Sequence, residues 1–163
     1  MNKTTIIAII FLLTMAVFPF LVDSAWLGIG ITFLVFAVVA FSQDIILGRA
    51  GIFNMGHAIF FGIGAYTTAI LNVHFGFEII ATVPFAIILP IIISILLAGP
   101  IIHLRGDYLL VATIGFNIIF EQVLKNNVFD VTGGPSGIFG IDVVRIFGYE
   151  LYSDTAIYYI AFG

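Results

Sequence analysis

The chain has 163 residues, of which 62% are hydrophobic and only 9% charged, with a net charge of −4 and a mean hydropathy of +1.26. Soluble domains carry about 25% charged residues, so the composition excludes a water-soluble fold, which could not hide this much apolar surface. The small, scattered negative charge points neither to a nucleic-acid partner nor to a basic membrane-surface patch, and a chain without cysteine has no disulfides and no thiolate metal sites.

A helix needs about 20 mostly apolar residues to cross the hydrocarbon core of a bilayer, and such runs recur. The first is Thr4 to Val22. It reads as an anchor, because it is long for the apolar part of a signal peptide and Asp23 stands where cleavage needs a small residue. Ala25 to about Leu47 is the second and ends in "SQDIILGRAG". The third, Gly51 to Leu71, is closed by "NVHFGFE". Ile79 to Ile101 is the fourth, and its Pro84 and Pro90 should bend it. Asp107 to Leu124 is the fifth. Residues 125–154 then carry charge together with Gly-Gly-Pro and Ser-Gly turn signals, the pattern of an aqueous external loop. "TAIYYIAFG" opens a sixth apolar run, too short to span alone at about 1.5 Å per residue. The expected fold is all-α: one transmembrane helix bundle over 1–163, with about five complete spans and the start of a sixth.

Charge sets the expected orientation. With the N-terminus in the cytoplasm, Lys3, Arg49 and Arg105 fall in short inner connections, and Lys125 and Arg145 in the long external loop. Trp26, Tyr108, Tyr149 and Tyr152 lie near the expected membrane interfaces, as amphipathic rings should.

The stretch "GIFNMGHAIFFGIGAY", residues 51–66, admits four glycines and a histidine into an apolar run. Ala58, Gly62, Ala65 and Ala69 recur at spacings of four, three and four and share one helix face, where small residues let membrane helices approach. Gly56 and Gly64 fall off that face. With Gly48 and Gly51 they allow a second reading, a third span broken or re-entrant near its start. Asn54 and His57 share a face if their turn is helical, and Asn117 and Glu121 share one on the fifth span. His57 either bonds a neighbouring helix or lines a path, and Glu121 is either solvated or on that path. Asp44 is expected to pair with Arg49 or to act as a cap. Asp107 can cap the fifth helix, and Gly133, Gly134 and Pro135 form a tight external turn. No phosphate loop, metal helix or nucleophile elbow is present, and His57, His74 and His103 are too scattered to hold a metal.

Three stretches carry a resemblance: "GRAGIFNMGHAIFFGIGAYTTAIL", "LRGDYLLVATIGFNII" and "NNVFDVTGGPSGI". In this order they resemble signatures of the LivM-type permease subunit of branched-chain amino-acid ABC importers, over Gly48 to Ile138. Asn54 and Met55 replace a more usual Ser-Leu, and Asn117 and Ile118 stand where Gly-Glu is common, which bears on the substrate more than on the family. The resemblance implies a non-enzymatic inner-membrane permease subunit. It would pair with a LivH-type permease, two cytoplasmic ATPases that bind the ATP, and a periplasmic amino-acid-binding protein that sets most selectivity. This chain itself is expected to hold no cofactor. It also implies that these residues are the N-terminal part of a longer permease, not competent alone for ATP-coupled transport. Candidates for the translocation path or the seam between permeases are Asn54, His57, Gly62, Tyr66, Asn117 and Glu121. Other expectations compatible with the residues are a permease for urea or short amides and a small membrane scaffold without transport activity.

Overall fold

The computed structural model describes residues 3–49, 51, 54–101, 103–104, 106–146, 149–150 and 153–162. Helices dominate, in chain order α1 (Lys3–Leu21), α2 (Ser24–Asp44), α3 (His57–Phe75), α4 (Ile79–Ile101), α5 (Asp107–Lys125) and α6 (Asp154–Phe162), with a π-helical turn at Ile45–Arg49 and a 3₁₀ turn at Gly134–Ser136. Among the described residues the only strands, β1 (Arg145–Ile146) and β2 (Tyr149–Glu150), form an antiparallel pair with Arg145 opposite Glu150. Among the described residues, four helical segments are long and apolar enough to cross a membrane: Ser24–Arg49, His57–Phe75, Ile79–Ile101 and Asp107–Lys125. The first run falls short of that measure, because its apolar part is only Thr5–Leu21. The protein is a multi-pass helical membrane bundle.

The chain divides into two compact units, Met1–Val38 with Leu151–Gly163, and Val39–Glu150. In the first, Tyr158 is fully buried, its ring stacked at 5.9 Å from Phe18 and 6.4 Å from Phe162. Its hydroxyl donates to the Met15 carbonyl at 2.9 Å. That carbonyl is the one an uninterrupted helix would pair with residue 19, which here is Pro19 and has no N–H. The phenol of α6 therefore supplies the donor that α1 lacks, and Tyr159 adds a bond to the Ala16 carbonyl at 2.8 Å. Gly30 of α2 packs against the same cluster: a Cβ there would lie 2.9 Å from Phe18 Cε1 and 3.1 Å from Tyr158 Cε2.

In the second unit α3 packs along α4. Ile59, Ile63, Thr67 and Asn72 are buried on α3, and Thr82 is fully buried on α4. The helices come close at Gly64, where a Cβ would lie 3.3 Å from the Ala86 carbonyl oxygen and 3.9 Å from Pro90 Cγ. Pro90 has removed the N–H that would have bonded that carbonyl. Gly76 closes α3 in the left-handed region at φ 68°, its N–H bonding the Asn72 carbonyl.

Candidate functional site

The third span is itself a continuous helix, His57–Phe75, and the irregular backbone lies in the segment that leads into it. After the π-helical turn, Gly51 has φ +64°, Asn54 to Gly56 are not helical, and α3 begins only at His57. Irregular backbone at membrane depth is tolerated where protein or a cavity satisfies its polar groups, and here side chains satisfy them. Gln43 Nε2 of α2 donates to the Asn54 carbonyl at 2.7 Å. Asn54 Oδ1 accepts the Gly56 N–H at 2.8 Å. Across from them, the Thr113 hydroxyl of α5 accepts the Met55 N–H at 3.1 Å and donates to the Leu110 carbonyl at 2.9 Å. Gln43 Oε1 is buried and has no hydrogen-bond partner among the described residues.

This irregular segment forms one wall of a cavity of about 520 Å³. The end of α4 contributes Ser94, Leu97, Ala98 and Ile101 and the start of α5 contributes Leu109, Thr113 and Phe116, while Gly51, Asn54, Gly56, Ile59 and Phe60 come from the break and the first turn of α3. Leu104 and Gly106 complete it from the connection between α4 and α5. The lining is apolar apart from Asn54, Ser94, Thr113 and exposed backbone, and no charged residue belongs to it among the described residues.

The family described as "Branched-chain amino acid transport system / permease component" matches residues 25–162. The chain belongs to this permease family. It is 36% identical over 146 residues to the high-affinity branched-chain amino acid transport system permease protein LivM of Escherichia coli strain K12, a match covering 89% of this chain and 34% of that protein. The LivM protein of Salmonella typhimurium strain LT2 is 34% identical over 145 residues, covering 88% of this chain and 34% of that protein. The chain thus spans about a third of the length of these relatives. No solved structure matches it.

Against the permease signatures, the structure distributes the candidate residues unevenly. Asn54 lines the cavity. It does not share a helix face with His57, because Asn54 precedes α3 and folds into a turn closed by its own side chain, while His57 is the first helical residue and half-buried. Tyr66 and Asn117 are half-buried and line no part of the cavity. Glu121 is exposed and paired with Lys125 one turn on, each side chain 54% accessible.

The expected small-residue face is divided. Gly62 faces α5, where a Cβ would come within 2.8 Å of Phe120 Cε1, and Ala69 is buried, but Ala58 and Ala65 are exposed. The residues α3 buries are Ile59, Ile63, Thr67, Ala69 and Asn72, and Gly64 makes the tight approach to α4. No ion pair joins Asp44 to Arg49. Asp107 is not the cap of α5: Gly106 occupies that position without a side-chain bond, and Asp107 sits in the first turn, where the helix dipole favours a carboxylate. Arg105 and Tyr152 lie outside the described residues, as does the side chain of Tyr149. Trp26 and Tyr108 are exposed, with 59% and 78% of their surface accessible.

The loop after α5 is held by polar side chains, Asn72 and Thr132 buried and His74 exposed, whose partners are too distant in sequence to be read from spacing. Asn72 Oδ1 accepts the Asp142 N–H at 2.8 Å, and its Nδ2 donates to the Phe77 carbonyl at 2.8 Å. The Thr132 hydroxyl lies 2.9 Å from both the Leu124 carbonyl and Asn127 Oδ1, and His74 Nε2 lies 3.2 Å from the Val131 carbonyl. Gly133 and Gly134 both have positive φ, with Pro135 in the 3₁₀ turn that follows. At Gly133 a Cβ would collide with the Gly137 carbonyl, so no other residue fits there.

Proposed function

We propose that this chain forms part of the translocation path of an ATP-driven importer of branched-chain amino acids. It would lie in the inner membrane, with its N-terminus in the cytoplasm and the 125–154 loop outside. In this reading it works beside a LivH-type permease, two cytoplasmic ATPases that bind and hydrolyse the ATP, and a periplasmic binding protein that delivers the amino acid; it holds no cofactor and catalyses no covalent step. The observation that carries the reading is the permease-family match over residues 25–162. The cavity beside the irregular segment that precedes α3 supports it, since a mostly apolar cavity with a few polar groups is the usual form of a small-molecule site.

The test is co-purification. A tagged form of the chain, expressed with the three kinds of partner in one membrane, should elute from a detergent column with the LivH-type permease and the ATPases. Elution without either would overturn the reading, and elution with the subunits of a urea or short-amide importer instead would move the substrate class.

A further inference from the structure

We propose that the cavity beside the irregular segment that precedes α3 seats a transported amino acid by its aliphatic side chain and turns away solutes whose side chains are charged. The proposal rests on the importer reading and adds a place and a selectivity to it. The volume of about 520 Å³ falls within the roughly 300–1,000 Å³ of small-molecule sites, which are mostly apolar with a few placed polar groups. Leu97, Ile101, Leu109 and Phe116 give the apolar walls.

The polar groups are not equivalent. Thr113 has given up its donor: its hydroxyl accepts the Met55 N–H and donates to the Leu110 carbonyl. Ser94 donates to the Ile91 carbonyl at 2.7 Å and keeps lone pairs to accept from an ammonium group. Asn54 has its Oδ1 engaged by the Gly56 N–H, while its Nδ2 meets no acceptor among the described residues and can donate to a carboxylate. One donor and one acceptor with a neutral apolar remainder suit a zwitterion with an aliphatic side chain. A lysine or glutamate would bring a further charge that no described lining residue pairs, and burying an unpaired charge is strongly unfavourable.

The chain contains no cysteine, so a single introduced thiol is its sole reporter. Ala98→Cys and Leu104→Cys place it in the cavity wall, and Asn126→Cys, at the exposed cap of α5, serves as reference. Each protein is reconstituted in nanodiscs with its co-purified partners, and the rate of modification by a small methanethiosulfonate is followed with and without saturating leucine. Leucine, isoleucine and valine should slow the cavity thiols at least threefold and leave Asn126→Cys unchanged, while lysine and glutamate should slow neither. Leu97→Trp, which fills the cavity, should abolish the protection. Cavity thiols that fail to react, equal protection by lysine and leucine, or protection that follows added lipid instead of leucine would each overturn the proposal. Partners that still co-purify in those cases leave the importer reading standing and sink only the site.

Discussion

Pro19 in α1 and Pro90 in α4 create the same defect and are repaired in different ways. Each proline lacks the N–H that would bond the carbonyl four residues back, so Met15 and Ala86 are left with oxygens that have no intrahelical donor. Around α1 a neighbouring helix brings a hydroxyl: Tyr158 donates to Met15 at 2.9 Å. Around α4 the neighbour brings only proximity. Gly64 presents only a hydrogen where any other residue would place a Cβ 3.3 Å from the Ala86 oxygen. The first repair fixes rotation, because a hydrogen bond has a direction; the second fixes distance, because any larger residue forces the backbones apart.

The largest effect should come from attacking the distance-dependent seam. Gly64→Val places a branched side chain against a backbone carbonyl that cannot swing aside, and should destabilise the protein by about 3 kcal/mol. The check is far-UV circular dichroism during titration with SDS in mixed micelles. A midpoint equal to that of the parent would show that α3 and α4 do not approach closely at Gly64.

Gly62→Leu should cost less, about 2 kcal/mol, because its obstacle is the edge of the Phe120 ring, a side chain that can rotate. Phe120→Ala made in the same protein should recover at least half of the loss in the same titration. An additive pair would mean that the two residues do not meet. The difference between Gly64→Val and Gly62→Leu measures how much more a backbone neighbour resists than a flexible one.

The hydrogen-bonded seam predicts a coupling. Tyr158→Phe keeps the stacked ring but removes the donor, and should cost about 1–2 kcal/mol. Pro19→Ala returns an N–H to the Met15 carbonyl, so in that background Tyr158→Phe should cost less than half as much. If the two substitutions add without interaction, the phenol is not replacing the donor that proline removed.

How far these features could be read from the sequence follows from their range. The fourth span was legible to the residue at both ends, Ile79 and Ile101, because hydropathy alone defines it. The break before α3 was legible as a cluster of glycines. The rotation of α3 was not: spacing marked Ala58, Gly62, Ala65 and Ala69 as one stripe, but a helix turns toward whatever packs on it, and Pro90 of α4 drew Gly64 inward while Ala58 and Ala65 stayed exposed. Thr113 escaped notice because its partner Met55 is 58 positions away. Asn54 was legible as a polar residue in the right place, but its pairing with His57 assumed a helical turn that its own side chain replaces. The role of Tyr158 could have been suspected from Pro19, since a proline within an apolar span advertises an unsatisfied carbonyl, yet nothing in the sequence names the helix that answers it.

The smallest effect should be at the ion pair between Glu121 and Lys125. Glu121 and Lys125 are one turn apart on α5 and both half open to their surroundings, and exposed pairs of this kind typically contribute about 0–1 kcal/mol. Glu121→Gln should therefore move the SDS midpoint by less than any substitution at the two proline seams, with a cost of about 0.5 kcal/mol or less. Because the same carboxylate is a candidate for the translocation path, stability alone does not decide its role. Leucine uptake by an assembled importer carrying Glu121→Gln separates the two: unchanged uptake fits a solvated pair at the end of α5. A severalfold loss of uptake with an unchanged midpoint would place the charge on the path, at the opposite end of α5 from the cavity lined by Leu109, Thr113 and Phe116.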